Sequence, residues 1–333
     1  MTNGNEPQSY STGPANTLLT DGIYNYEYDG EGNLVKRVNL ASGETRTFVF
    51  DHRNRLVRVD DWSADPVDPE NPAAGVAFTQ SVKYSNDTLG RRVSRTQDVD
   101  GEGPAAPETE HFVNDRNNVW LDANEAGEVT GRYLFGEVVD QIIADLLAEG
   151  SRFHHSDIIG SSRMVVAVDG GVVGTQSYTA FGSPISIDLF GRYGFAGREI
   201  DSSTGLYYNR ARSYEAIVGR FLSQDPIGFG AKDTMLYRYV SNGPTSATDP
   251  FGQYTILQYA LAVSALAFAY SPVFVVACPA IENSAFNVVY YTVRLPYLTF
   301  GITVKLLEAA TYLSIASALN DITDIVQECI VKE

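Results

Sequence analysis

The sequence predicts a mainly β protein built from antiparallel hairpins, with a small helical module at its C-terminal end. Of its 333 residues, 20 are Tyr and 29 are Gly, and only three are Met, which is typical of turn-rich strands. Short segments of alternating polarity, such as residues 45–50 and 56–59, are separated by Asp, Asn and Gly. From residue 251 to residue 281 no side chain is charged, so the chain changes character there.

Residues 1–22 are polar and rich in Asn, Ser, Thr, Gly and Pro. We expect them to form a flexible lead-in to the folded part. They contain no basic segment followed by an apolar one, so they do not match a signal peptide.

Residues 23–190 carry a degenerate hairpin repeat. Residues 28–34 read YDGEGNL and residues 50–56 read FDHRNRL; looser copies are Tyr84 followed by GRRV at 90–93, and YTAFGSP at 178–184. An aromatic residue ends one strand, Asp with Gly or Asn makes the turn, and an apolar residue opens the next strand. One repeat cannot bury its own face, so neighbouring repeats must stack.

Three other segments of this region carry further expectations. Residues 63–75 and 98–110 are acidic and contain Pro and Gly, so we predict exposed loops. Residues 138–147 fit either a short helix or a buried strand. His154 and His155, adjacent in a strand, would point to opposite faces, and we interpret them as structural residues.

Residues 191–252 contain two Asp-Pro-x-Gly sequences, one from Asp225 and Pro226 to Gly228, the other from Asp249 and Pro250 to Gly252. Each predicts a tight turn, because Asp accepts a backbone hydrogen bond, Pro restricts φ and Gly tolerates a positive φ. The aromatic residues 206–208 and 236–240 predict strands. The residues themselves are explained by two turns that bracket strands.

These residues also resemble the core that ends the shell of YD-repeat (Rhs) proteins. The resemblance rests on FAGRE at 195–199, TGLYYNRAR at 204–212, GRFLSQDPIG at 219–228 and DPFG at 249–252. It implies a curled β shell before residue 252, a variable module at 253–333 and a place in cell-surface or interbacterial interaction.

Some shells of this kind cleave themselves just after the second Asp-Pro-x-Gly. By resemblance, Asp225 and Asp249 form the catalytic pair, since two close carboxyl groups can share one proton. The cut would fall near Gly252, Gln253 and Tyr254. The chain departs from the family pattern at Gln253, where Leu commonly precedes the cut, and it has Met235 where Asn is usual.

The tail, residues 253–333, allows two interpretations. Residues 256–276 are apolar except for Gln258, Ser264 and Ser271, and about 20 apolar residues in a helix span a bilayer core. They therefore predict a membrane anchor or membrane-active effector. The alternative is a buried helical unit packed on the shell.

Composition excludes some functions. The net charge of −17 argues against a nucleic-acid partner, which needs a basic surface. The four His are scattered and the two Cys lie in the tail, so we expect no metal site, and no fingerprint of a cofactor site is present. A nuclease-type toxin is disfavoured because the tail has no His.

The sequence thus predicts a non-enzymatic scaffold that presents or encapsulates a hydrophobic C-terminal effector or membrane anchor, at the cell envelope or outside the cell. The expected partners are its own tail, a membrane through residues 256–276, and other shell or secretion-apparatus chains that pair with open sheet edges. The alternative function is a self-processing aspartyl peptidase.

Overall fold

The computed structural model describes residues 10–137, 139–185, 191–231 and 233–253. They form two antiparallel sheets in which the strands follow chain order, fifteen in the first sheet and four in the second. The first sheet contains β1 (Ser11–Thr12), β2 (Leu18–Thr20), β3 (Tyr24–Tyr28), β4 (Leu34–Asn39), β5 (Thr45–Phe50), β6 (Leu56–Trp62), β7 (Phe78–Asn86), β8 (Arg92–Asp98), β9 (Glu108–Asp115), β10 (Asn118–Asn124), β11 (Val129–Phe135), β12 (Ile142–Leu147), β13 (Gly150–Ser156), β14 (Ser162–Ala167) and β15 (Val172–Thr175). The second contains β16 (Glu199–Ile200), β17 (Leu206–Asn209), β18 (Arg212–Glu215) and β19 (Arg220–Phe221).

The predicted mainly β class is confirmed. Helical structure among the described residues is limited to short 3-10 turns at Pro14–Asn16, Phe195–Gly197, Gly228–Ala231 and Val240–Asn242. The predicted helical module and the boundary between residues 252 and 253 stay predictions, because residues 254–333 lie outside the described part. The lead-in at 1–22 is described only from residue 10, and residues 11–12 and 18–20 of it form strands.

The hairpins of the large sheet repeat one turn, and the first copy shows its bonding. The backbone N–H of Asp29 donates to the carbonyl of Asn33 at 2.9 Å, and the N–H of Gly32 donates back to the carbonyl of Asp29 at 3.1 Å. The Asp29 carboxylate accepts hydrogen bonds from the N–H groups of Glu31 and Asn33. Asp therefore closes the turn through both its backbone and its side chain.

The same pattern recurs in the turns that begin at Asp51, Asp87 and Asp157. The fourth residue of the turn has a positive φ, +82° at Gly32 and +58° at Asn54. Gly, and less readily Asn, tolerates this conformation. The turn starting at Thr179 has the same backbone bonds, but only an isolated bridge between Tyr178 and Pro184 flanks it.

Other segments test the remaining expectations. Residues 142–147 form a strand, so the strand and not the helix is correct for this part of residues 138–147. The two acidic insertions are largely exposed loops, although the second is shorter than predicted because strands β8 and β9 extend to Asp98 and from Glu108.

The predicted strand at residues 236–240 is wrong. Only Arg238 bridges another segment, at Arg220, and Val240, Ser241 and Asn242 have φ values of +37°, +54° and +62°. This left-handed turn brings Tyr239, 1% exposed, into a cluster of aromatic residues. Burial of the side chain here outweighs the strand preference of an aromatic sequence.

Residues 191–253, here called the central module, supply much of the hydrophobic core. One cluster lies mainly within the module and is rich in aromatic residues, including Phe195, Tyr207, Tyr214, Phe221 and Tyr239. Two more clusters join the module to the large sheet: Leu206 and Leu222 pack with residues of the first half of the sheet, and Tyr193 packs with residues of the second half. The large sheet therefore folds against this module.

Charged contacts connect the same two parts. Asp201 of the module accepts from Arg95 of β8 at 2.9 Å and from the hydroxyl of Tyr84 at 2.6 Å. Arg192 binds Asp122 of β10 at 3.0 Å and Glu199 of its own module at 2.7 Å. Burial acts to raise the pKa of both Asp201 and Glu199, but the nearby guanidinium groups outweigh it and hold each pKa below its ordinary value.

We expect the free energy of unfolding to fall as the pH drops from about 7 to about 3, across the ordinary carboxyl pKa range. Because the pKa values of Asp201 and Glu199 are lower in the folded chain, their stabilisation is present above the ordinary pKa and is lost as the pH falls through the folded pKa. Asp122 acts in the opposite direction, because burial raises its pKa. Urea midpoints across this range measure the effect.

The Asp201→Asn variant is the control for this pH dependence. It should be less stable than the wild type at about pH 7 and should lose less stability on acidification, because one titrating carboxyl group is gone. A wild-type midpoint that does not change with pH would contradict the expectation.

Candidate functional site

Both Asp-Pro-x-Gly sequences form turns. In the first, the N–H of Gly228 donates to the carbonyl of Asp225 at 2.8 Å, and the N–H of Ile227 donates to its carboxylate at 2.9 Å. In the second, the carboxylate of Asp249 accepts from the N–H of Gln253 at 3.1 Å. Pro226 and Pro250 are the second residues of these turns.

Arg212 brings the two aspartates to one place. Its Nη2 atom lies 3.2 Å from Oδ2 of Asp225 and 3.3 Å from Oδ2 of Asp249. Its Nη1 donates to the carbonyl of Leu236 at 3.0 Å, and its guanidinium lies over the ring of Phe221, 3.6 Å from the ring centre. Because Arg212 is fixed by these contacts, the carboxyl groups of Asp225 and Asp249 are both held close to its Nη2 atom.

The site is buried, and burial changes the pKa values within it. Asp249 is 0% exposed and Arg212 is 3% exposed. Burial raises the pKa of Asp249, although the charge of Arg212 acts in the opposite direction. Burial also lowers the pKa of Arg212. A raised carboxyl pKa favours the protonated acid.

The peptide bond between Gly252 and Gln253 has a polar group on each side. The Nε of Arg212 donates to the carbonyl oxygen of Gly252 at 2.6 Å, and the carboxylate of Asp249 accepts from the N–H of Gln253. Tyr254, the third residue of the predicted cleavage region, lies outside the described residues.

Sequence reasoning assigned no role to Arg212. The residue belongs to the stretch that carries the family resemblance, and it lies in β18, whose residues are all buried. A buried arginine requires a carboxylate or carbonyl partner. The need of Arg212 for such a partner indicates a charged site, but it does not identify Asp225 and Asp249 as the partners.

A second polar cluster was not expected. The ring of His154 is fully buried, with Nδ1 2.9 Å from Oγ of Ser162 and Nε2 3.2 Å from Oδ2 of Asp145. Arg152 also binds Asp145. Burial acts to raise the pKa of Asp145, but the hydrogen bonds from His154 and Arg152 hold it below its ordinary value.

This cluster brings Ser, His and Asp together, but its surroundings fit a structural role. Ser162 is 4% exposed, and the cavity beside it has a volume of about 10 Å³. Such a space holds at most one water molecule. His155 is exposed, so the two histidines point to opposite faces of the strand as expected.

The described residues contain neither a candidate metal site nor a candidate membrane span. No group of three or more His, Cys, Asp or Glu in that part of the chain could hold a metal ion. No helix within it is long and apolar enough to cross a membrane. The span predicted at residues 256–276 lies outside it.

No family model matches the chain. Similarity to individual proteins is extensive. "Double-stranded DNA deaminase toxin A" of Burkholderia cenocepacia is 29% identical over 266 residues, which cover 71% of this chain and 17% of that protein. "tRNA nuclease WapA" of Bacillus subtilis is 28% identical over 71% of this chain and 11% of the relative. "Toxin protein Tse5" of Pseudomonas aeruginosa is 27% identical over 68% and 18%.

The matched region therefore spans less than a fifth of the length of each of these relatives. Solved structures of the TcdB2-TccC3 complex also match. One is 16% identical over 73% of this chain and 18% of the other, with a TM-score of 0.36. This score is too low to establish a common fold.

We expect Gly252→Val to destabilise the protein more than Gly228→Val. Both glycines have a positive φ, +64° and +60°, in which a side chain costs about 1–2 kcal/mol. A Cβ at Gly252 would also overlap the carbonyl oxygen of Asn209, whereas a Cβ at Gly228 would meet nothing within 4 Å. Melting temperatures of the two variants measure the difference, and equal losses would show that the close approach at Gly252 is unimportant.

Proposed function

We propose that this chain is a shell segment of the Rhs type, with hairpins of the YD-repeat kind, and that it acts as a non-enzymatic scaffold for a hydrophobic C-terminal effector or membrane anchor. The similarity to two proteins named as toxins and one named as a nuclease supports the Rhs-type assignment. The order of repeats, central module and apolar tail supports the scaffold role.

The central module contacts strands that lie far apart in the large sheet, and this carries the proposal. Leu222 accepts from the N–H of Leu34 in β4, and Gly194 accepts from the N–H of Ser162 in β14. Ten strand spacings of ~4.8 Å separate these strands, about 48 Å across a flat sheet. A compact body of about 60 residues has a radius of gyration of roughly 10 Å. A sheet that contacts it at both places must curve around it, as a shell does.

The relatives support a scaffold for a separate reason. One is named as a DNA deaminase toxin and another as a tRNA nuclease. Each match covers 71% of this chain, so the two matched regions must overlap. A segment common to proteins that are named for different reactions is better explained as a scaffold than as the part that performs either reaction.

The proposed partners follow from the same role. They are the chain's own tail, other shell or secretion-apparatus chains that pair with its sheet edges, and a membrane through residues 256–276. The proposed location is the cell envelope or the extracellular space. With a net charge of −17, the chain itself is not proposed to bind nucleic acid.

Carbonate extraction of bacterial membranes tests the anchor. The wild-type protein should remain with the membranes, and Leu266→Arg should release it, because a charge at the centre of a span costs roughly 2.5–3.5 kcal/mol. Ser264→Ala is the matched control and should leave the distribution unchanged. Recovery of intact wild-type protein in the soluble fraction without detergent would favour a packed helical tail instead.

We infer a second candidate function, self-processing, from the contacts of the Gly252–Gln253 bond. Arg212 donates to the carbonyl oxygen on which negative charge develops when water attacks. The carboxyl group of Asp249 lies beside the nitrogen of Gln253, and its raised pKa suits donation of a proton to that leaving nitrogen. Asp225 is assigned as the base.

In this reaction water adds to the carbonyl carbon of Gly252 and passes one proton to Asp225. The bond from that carbon to the nitrogen of Gln253 then breaks, and Asp249 supplies the proton for the new amine. The products are a carboxyl group at Gly252, which ionises by releasing the second proton of the water to solvent, and a chain that begins at Gln253.

Purified full-length protein, analysed on a denaturing gel and by intact mass, tests self-processing. The wild type should give two fragments, the second starting at Gln253 or Tyr254, and Asp225→Asn should stay intact because the base is lost. Asp169→Asn, in an exposed hairpin turn where the carboxylate accepts from Gly171, is the control and should be cut normally. Identical intact bands for wild type and Asp225→Asn would leave Asp225 only its turn-forming role.

A further inference from the structure

Four consecutive carbonyl groups before the proposed cleavage bond are bound by four consecutive residues of one hairpin. The hairpin is the connection from β17 to β18, where Asn209 pairs with Arg212. The contacts run in register: Asn209 Nδ2 to the carbonyl of Asp249 at 2.7 Å, Arg210 Nη1 to that of Pro250, Ala211 N–H to that of Phe251 at 3.2 Å, and Arg212 Nε to that of Gly252 at 2.6 Å.

These contacts bind the backbone carbonyl groups of residues 249–252. Backbone recognition of this kind fixes the register of a peptide without depending on most of its side chains. The exception is Gly252, where a Cβ would overlap the carbonyl oxygen of Asn209 and lie 2.9 Å from the nitrogen of Arg212. The hairpin therefore accepts only glycine at that position.

Asn209 binds the first residue of the segment 249–252. The residue is 1% exposed, and its Nδ2 bond to Asp249 fixes the backbone of the residue that supplies the carboxyl group. Its Oδ1 is buried and has no hydrogen-bond partner among the described residues. A buried polar atom without a partner is costly, so the hydrogen bond from Nδ2 to Asp249 is retained at a cost in stability.

We propose that residues 209–212 form a clamp that places the Gly252–Gln253 bond between Asp225, Asp249 and Arg212, and that Asn209 is a positioning residue for the cut. This inference rests on the self-processing function proposed above. The clamp sets the cleavage position, while the three charged side chains perform the reaction.

The clamp also limits the reaction to one cut per chain. Its four bonds lie entirely before the bond that breaks, so the reaction removes none of them. The new carboxylate of Gly252 stays beside the guanidinium of Arg212 and blocks the site. Peptide segments of other chains cannot enter while the chain's own segment occupies the clamp.

Substitution of Asn209 in the full-length chain tests the positioning role. Asn209→Leu removes the donor at similar volume and should slow self-cleavage by about tenfold or more, since small misplacements of reacting groups cost up to ~100-fold. It should also spread the cut over neighbouring bonds, which intact mass resolves. Asn114→Leu is the matched control, because Asn114 donates in the same way to the carbonyl of Arg92 in the large sheet and should leave the rate and the position unchanged.

The outcomes are distinguishable. If the wild type stays intact, self-processing fails and the clamp's role fails with it. If the wild type is cut and Asn209→Leu is cut equally fast at the same bond, the clamp alone is overturned. Asn209→Ala removes the same donor without bulk and replaces the Leu variant if that variant does not fold.

A mixing experiment tests the single cut. Wild-type chains incubated with full-length Asp225→Asn chains should leave the variant intact at every ratio, because each clamp is already filled. Cleavage of the variant in the mixture would overturn the occupied clamp.

Discussion

The buried arginine–carboxylate pairs between the central module and the large sheet are the contacts on which the rest of the structure depends. Arg37 of β4 binds Glu215, and Arg95 of β8 binds Asp201. A buried charge without a partner is far more costly than a missing apolar contact. The register in which the module docks on the sheet is therefore the one that pairs these buried charges.

The same network reaches the candidate site. Asp140, 4% exposed, binds both Arg198 and Arg210, and Arg210 also donates to the carbonyl of Pro250. A carboxylate from the loop before β12 thus orients an arginine of the clamp. The position of the second Asp-Pro-x-Gly turn is set by the sheet and not only by the local sequence. A loss of docking would therefore disturb the site even when its own residues are unchanged.

This dependence connects the fold to the proposed scaffold role. A sheet that holds a central module by paired charges places one peptide segment at a fixed point. That point lies where the sequence changes from aromatic strands to a stretch without charged residues, 251–281. The matches to the relatives cover 68–71% of this chain, and two of those relatives are named for different reactions. Holding the chain at this point by contacts that precede residue 253 is compatible with any module that follows it.

The sequence by itself determined the β class, the hairpin turns and the positions of the two Asp-Pro-x-Gly turns. These features are local: Asp, Gly and Asn within five residues supply all the bonds of a turn. The aromatic run at 236–240 was misinterpreted as a strand because burial of Tyr239 in a cluster formed by distant residues outweighed its local preference. Arg212 as the link between Asp225 and Asp249, and the register of Asn209 against Asp249, were decided only by the tertiary structure. Such contacts join residues 13–40 positions apart in the chain, and no spacing rule in the sequence specifies which buried donor meets which carbonyl.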